Sequence, residues 1–415
     1  MKNNNKNKQF YLILILGMLT AIGPFSIDMY LPAFPDIAKG LNTTIARVML
    51  SLSSFFIGIS AGQLIYGPLL ERYGRKKPLY FGLVIYIIAS LGCALSPSVD
   101  ALILLRLLQA LGGCAGMVAA RAMVRDFFEV KENARIFSLL MLVVAVSPII
   151  APTLGGYITA LFGWQSVFII LMVMALVILI AVHFYLPESK KPDPNFSLKP
   201  QPIITNYLEI IKHPQFYTYA LTGAIAAAGL YAYISGSPHV FMEIYKVTEQ
   251  QYGWIFALIA MGLIGAAQIN TVLLKNYSSD QIIKVALTCQ CIIGVVLSVI
   301  TYAGFGDLFI TIFLIFTYLC CQGFIFPNSS ALSLAPFGHK AGSASAMMGA
   351  IQMSIGAAAS AMVSILQNYF SPMTAVMAIC TLTAFLVFTF GRKMIVKQAT
   401  IEAVEEEDVE MISTL

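Results

Sequence analysis

Gly67-Pro68-Leu69-Leu70-Glu71-Arg72-Tyr73-Gly74-Arg75-Lys76-Lys77 is the stretch on which the fold turns. It lies between two apolar runs, 46–70 and 79–96, and concentrates the charges Glu71, Arg72, Arg75, Lys76 and Lys77 between them. A helix rises 1.5 Å per residue, so about 20 apolar residues cross a hydrocarbon core about 30 Å thick. Two such runs joined by a short charged turn read as two membrane-crossing helices with their connection held in water at one surface. Gly67 and Gly74 punctuate the connection, as a tight turn requires.

The same pattern extends in both directions over the whole chain. The 415 residues are 59% hydrophobic and 11% charged, whereas soluble domains are about 25% charged. Spans are predicted at 10–33, 46–70, 79–96, 100–124, 136–161 and 164–186, and again at 216–242, 252–274, 281–302, 308–331, 342–366 and 372–396. Residues 187–215 separate the two sets with six prolines and Lys190, Lys191, Lys199 and Lys212. They read as a polar linker, with a short surface helix over 206–212. The predicted molecule is all-α, with an N-terminal six-helix half (1–186), the linker (187–215), a C-terminal six-helix half (216–396) and an acidic tail (397–415). Leu69-Leu70-Glu71-Arg72-Tyr73 is echoed by Leu273-Leu274-Lys275-Asn276-Tyr277, and the same offset carries Pro152 onto Gly356. Such repetition fits duplicated halves related by an axis along the membrane normal.

In this topology 21 of the 25 Lys and Arg residues fall on one side. The positive-inside rule then places both termini and the linker in the cytoplasm. No cleavable leader is expected, because the run from Phe10 is too long for a signal segment. The polar stretches leave no room for a soluble catalytic, signalling or nucleic-acid-binding domain. No phosphate-cradling loop appears, and the loops offer no Ser/His/Asp set or metal-ligand cluster. The seven cysteines lie in apolar runs, and His183, His213, His239 and His339 are scattered. An enzyme, a sensor, a metal protein and an ATP-driven exporter are all disfavoured.

Within the spans, charge is rare and therefore informative. Asp28 is the one carboxylate well inside a predicted span, about 7–8 Å from its outer end, and Arg106 lies about 9 Å inside the outer end of the fourth. Similar depths are what an intramembrane ion pair requires. The fifth span carries Pro148 and Pro152 at i, i+4 and then Gly155-Gly156, a pattern for a bent helix in close contact with neighbours. Tyr30, Gln109, Met117, Tyr231, Tyr233, Gln322 and Phe326 are the candidates for lining a substrate cavity, although core or lipid-facing packing is the commoner role for any one of the aromatics.

These motifs carry a family resemblance. Residues 67–77 resemble the hallmark loop between helices two and three of the major facilitator superfamily, Gly-x-Leu-x-Asp-Arg-x-Gly-Arg-Arg/Lys, with Glu71 replacing Asp. Residues 147–156 resemble the fifth-helix motif of its drug–proton antiporters, with Ala151 replacing the first Gly. Arg106-Leu107-Leu108-Gln109-Ala110 resembles its fourth-helix motif, with Ala110 replacing Gly. Asp28-Met29-Tyr30-Leu31-Pro32 and Arg121-Ala122-Met123-Val124-Arg125-Asp126 resemble the Bcr/CflA branch of twelve-helix exporters. The resemblance implies a monomeric secondary transporter that exports hydrophobic drugs in exchange for protons, with no bound cofactor. It implies proton coupling by Asp28, tuned by Arg106, since Thr20 stands where some relatives have a second carboxylate. It further implies a conformational latch at Gly67, Glu71, Arg72, Gly74, Arg75 and Lys76. A dedicated exporter of one sugar, amino acid or siderophore is the alternative within the same fold.

Overall fold

The computed structural model describes residues 2–128, 130–194, 198–338, 340–366 and 372–413, and all regular structure among them is helical. The crossing helices of the first set are α1 (Lys2–Asp28), α3 (Ile45–Tyr73), α4 (Lys76–Ala94), α5 (Val99–Phe127), α6 (Val130–Phe162) and α7 (Gln165–Tyr185), with a short α2 (Phe34–Gly40) after α1. After the linker helix α8 (Pro200–Lys212) come α9 (Pro214–Pro238), α10 (Glu249–Leu273), α11 (Ser279–Tyr302), α12 (Leu308–Leu334), α13 (Ala341–Ile365) and α14 (Pro372–Ser413).

The helix starts follow from local chemistry. Thr44, Ser98, Thr248, Ser278 and Asp307 each accept a hydrogen bond from the backbone N–H three residues on, satisfying a donor the first turn leaves free. Thr248 with Gln251 and Ser278 with Gln281 complete reciprocal caps. Among the described residues, eleven segments are long and apolar enough to cross a membrane, so the chain is a multi-pass membrane protein. α9 is not among the eleven. It is rich in Gly, Ala, Ser and Tyr, and most of its side chains are buried in the bundle. A crossing helix shielded from lipid needs less hydrophobicity than one that faces it.

Three expected boundaries move. The first crossing does not run as one helix to residue 33: α1 stops at Asp28 and the chain resumes in a short turn at Leu31–Ala33 and then in α2. Pro32 and Pro35 lack the N–H groups that an uninterrupted helix needs there. The linker helix begins at Pro200 rather than 206, because prolines fit a first turn whose N–H groups have no partner anyway. The last helix does not end near 396 but continues through the acidic segment to Ser413. The side chains of that tail lie outside the described residues, as does His339.

α1 packs against α5, α6 and α7, which with α3 and α4 make one bundle, and α9 through α14 make another. The two sets meet along two seams, α3 against α13 and α6 against α10. The first is a ladder of small hydroxyls: Ser53 bonds Ser360 at 2.8 Å, Ser60 bonds Ser354 at 2.7 Å, and Ser364 bonds the Ala46 carbonyl. The second depends on missing side chains. A Cβ on Gly156 would stand 2.7 Å from the Glu249 carbonyl oxygen, and one on Gly253 would stand 2.9 Å from the Thr153 Cα. Gly155 brings α6 against the break after α1, where a Cβ would lie 2.0 Å from the Met29 carbonyl oxygen.

Candidate functional site

Arg106, on α5, is fully buried. One guanidinium nitrogen donates to Gln109 Oε1 at 2.6 Å and another to the Ser26 carbonyl at 2.8 Å. Its plane lies 4.1 Å from the centre of the Phe55 ring, 4.6 Å from that of Tyr30 and 5.8 Å from that of Phe168. Outside this shell, Gln109 donates to Ser90 at 2.7 Å and Tyr86 bonds Ser26 at 2.6 Å. The cation is thus held by neutral acceptors and by the electron-rich faces of aromatic rings, while its Nε has no partner.

Asp28 ends α1 and is 4% exposed, and it is the only buried carboxylate among the described residues. It makes no ion pair with Arg106, which corrects the expectation drawn from their similar depths. Arg106 instead bonds the Gln109 side chain and the backbone carbonyl of Ser26. Tyr231, Tyr233 and Tyr252 of the second helix set lie within electrostatic range of Asp28. Tyr231 packs edge-on against Phe56 with ring centres 4.8 Å apart and accepts from Gln352 at 3.3 Å. Tyr233 stacks on Phe256, and its buried hydroxyl has no partner. Tyr252 bonds Ser237 at 2.8 Å. A lone buried carboxylate within electrostatic range of tyrosines from the second helix set is suited to exchanging a proton or holding a cationic group.

At the end of the bundle that carries residues 67–77, a cavity of about 540 Å³ opens between the two sets. Gln63, Gly67, Arg121, Arg125, Tyr207 and Ser343 are among its lining residues. The loop beside it is tightly tied. Arg75 is 4% exposed and donates to Asp126 at 2.9 Å and to Glu71 at 3.0 Å. Burial works against its charge, but the bonds and charges of Asp126 and Glu71 outweigh that and hold its pKa above the usual arginine value. Glu71 also pairs with Lys190, and Ser189 donates to Asp126 at 2.7 Å. Glu188 accepts from the backbone N–H groups of Arg75 at 2.7 Å and Lys76 at 3.1 Å, capping the start of α4. Gly74 has φ 81° and ψ 176°, a region open essentially to glycine alone.

The expected site residues are thus sorted by the structure. Asp28, Tyr231 and Tyr233 come together. Tyr30 and Gln109 do not face a cavity: both are fully buried, holding Arg106. Met117 packs over Gly23 of α1. Gln322 meets Gln290 at 3.4 Å inside the second set, and Phe326 is 38% exposed. Arg72 reaches the Asp193 carbonyl at 3.5 Å, and Lys76 lies over the Tyr80 ring. Gly67 has open space where a Cβ would be, so neither packing nor a turn requires glycine there. Sequence reasoning missed Tyr252 at the carboxylate and Glu188 at the loop. For Glu188 the signal was a carboxylate just past a span, on the same side as the basic loop.

Residues 16–361 match the Major Facilitator Superfamily. The chain belongs to that superfamily. Among the superfamily's members, the uncharacterized MFS-type transporter YdgK of Bacillus subtilis is 33% identical over 94% of this chain and 97% of its own. The bicyclomycin resistance protein homolog of Haemophilus influenzae is 28% identical over 93% and 97%. Multidrug resistance protein D of Escherichia coli is 24% identical over 84% and 86%. The superfamily fold is shared with a D-xylose–proton symporter at a TM-score of 0.72 and 12% identity, covering 91% of this chain and 97% of that one. Like other superfamily members, the chain is a membrane-embedded transporter of small molecules.

Proposed function

We propose that this protein exports hydrophobic drugs or related small molecules across the bacterial inner membrane in exchange for protons. The observation that carries the proposal is Asp28, a buried carboxylate with no cationic partner, placed where the two helix sets meet. Burying an unpaired charge is costly, so a proton or a cationic substrate at Asp28 stabilises the closed site. The two cannot occupy it together, which is the basis of exchange. The names of the Haemophilus relative, of the chloramphenicol resistance protein of Pseudomonas aeruginosa and of multidrug resistance protein D support drugs as the substrate class.

The basic end is taken as cytoplasmic, so the cavity beside residues 67–77 is the inward opening and the glycine seam of α6 and α10 closes the outer end. Export follows when the halves 1–186 and 216–396 rock about Asp28, parting the glycine seam and closing the cavity. One chain supplies both halves and hence a complete site, consistent with a monomer driven by the proton gradient. The test is proton release from purified protein on adding drug, with drug transport into proteoliposomes under a pH gradient. Asp28→Asn is expected to abolish both while retaining part of the drug binding, because the amide mimics the protonated acid. Undiminished proton-driven transport by Asp28→Asn would overturn the mechanism.

A further inference from the structure

The linker helix α8 carries two apolar stripes, and the bundle covers one of them. Ile203, Tyr207 and Ile210 recur at i, i+4 and i+7 and turn inward: Ile210 is buried with Phe216, Ala220 and Ala344, while Ile203 and Tyr207 wall the cavity. Ile204, Leu208 and Ile211 repeat the spacing about 100° further round the helix. They stay 53%, 48% and 38% exposed. Polar residues occupy the remaining arc, where Thr205 is exposed and Glu209 pairs with Lys340 at the start of α13 at 2.6 Å.

The position of α8 says what covers the second stripe. α8 ends at Lys212, and α9 enters the membrane from Pro214. The two apolar stripes are therefore held at the membrane surface, with one turned into the bundle and the other turned away from it. Lys212 stands in the last turn beside the exposed stripe, as on helices that lie among anionic headgroups. We propose that α8 is an in-plane membrane helix whose Ile204–Leu208–Ile211 face is seated in the acyl chains of the adjacent leaflet, with Lys212 on anionic headgroups. The stripe about 100° round from it walls the cavity, so α8 separates the lipid from the transport path by a single helix. The proposal requires only that the chain spans a membrane, and its failure would leave the export reading untouched.

The test uses the full chain in phosphatidylcholine–phosphatidylglycerol vesicles, with Trp254→Phe to lower the native lipid-facing signal. Leu208→Trp and Thr205→Trp are compared in ordinary and acyl-brominated lipid. Leu208→Trp is expected to lose on the order of half its emission to the brominated chains, as befits a side chain a few ångströms below the headgroups. Thr205→Trp should instead respond to aqueous iodide. Removing phosphatidylglycerol, or adding Lys212→Gln, should weaken the bromine quenching of Leu208→Trp. Iodide quenching of Leu208→Trp without bromine quenching would overturn the proposal in favour of a water-exposed face. Protection from both quenchers would overturn it in favour of a protein partner. Equal bromine quenching with and without phosphatidylglycerol would overturn the headgroup assignment.

Discussion

Arg106 shows how a buried charge is kept without a counter-charge. Each hydrogen bond from a charged donor is worth about 1.5–3 kcal/mol, and Arg106 makes one to Gln109 and one to Ser26 while lying against three aromatic rings. Removing only the donor leaves the buried acceptors of Gln109 and Ser26 unsatisfied, at about 1–3 kcal/mol each. Arg106→Met is therefore expected to lower thermal stability in detergent by about 2–5 kcal/mol and to reduce transport per folded molecule severely. A large fall in melting temperature with normal transport per folded molecule would make Arg106 purely structural. Arg106→Lys should not restore the parent behaviour, because an ammonium cannot reproduce the planar two-bond geometry and ring stacking of a guanidinium. The residues themselves were legible in the sequence; their partnership was not. Spacing from a span end gives height in the membrane, whereas contact depends on how one helix is rotated against another.

At the scale of elements, glycine decides how the helices approach and how one loop turns. Gly155 meets the Met29 backbone with no room for a Cβ. Gly155→Ala must push α6 from the break after α1, loosening the outer seam. Faster amide hydrogen exchange over 29–33 is the expected result, and unchanged exchange would show that the helices give way elsewhere. At Gly74 the constraint is conformational as well as steric, since a Cβ would stand 3.1 Å from Glu188. Gly74→Val is expected to cost about 1–3 kcal/mol and to slow transport at equal protein level, both measurable on the purified variant. Glycine was visible in the motif at 67 and at 74 alike, but only at 74 does the backbone require it. The contacts of this loop run to Asp126, Glu188 and Lys190, all preceding the second helix set, so they tie the loop to α5 and to the start of the linker.

At the scale of the whole molecule, the seams are built to part. The serine ladder between α3 and α13 consists of short hydroxyl bonds that water can replace when the seam opens. The glycine contacts of α6 with α10 involve few side chains to reorganise. On the proposed mechanism, seams that separate at modest cost around a carboxylate neutralised by proton or substrate would supply the bistability that alternating access needs. Orientation is open to direct test. Reporters fused after Lys393 and within 187–215 should both register as cytoplasmic, and one within 243–250 as external. An external signal from the linker would reverse the placement of the cavity and with it the direction of transport.

The sequence by itself determined the crossing segments, the division by a basic linker, the superfamily motifs and the isolation of Asp28 and Arg106. It could do so because each follows from local composition: hydrocarbon demands about 20 apolar residues per crossing, and any exception stands out. The tertiary structure alone decided that Arg106 bonds Gln109 and the Ser26 carbonyl, lies against three rings and makes no ion pair with Asp28. It also decided that the first crossing breaks after Asp28, and that α8 holds one apolar stripe in the bundle and another outside it. These depend on the rotation of one helix against another, which is set by side chains far apart in the chain. In a membrane the hydrophobic effect does not set that rotation, since lipid and neighbouring helices are equally apolar, and close packing and hydrogen bonding decide it.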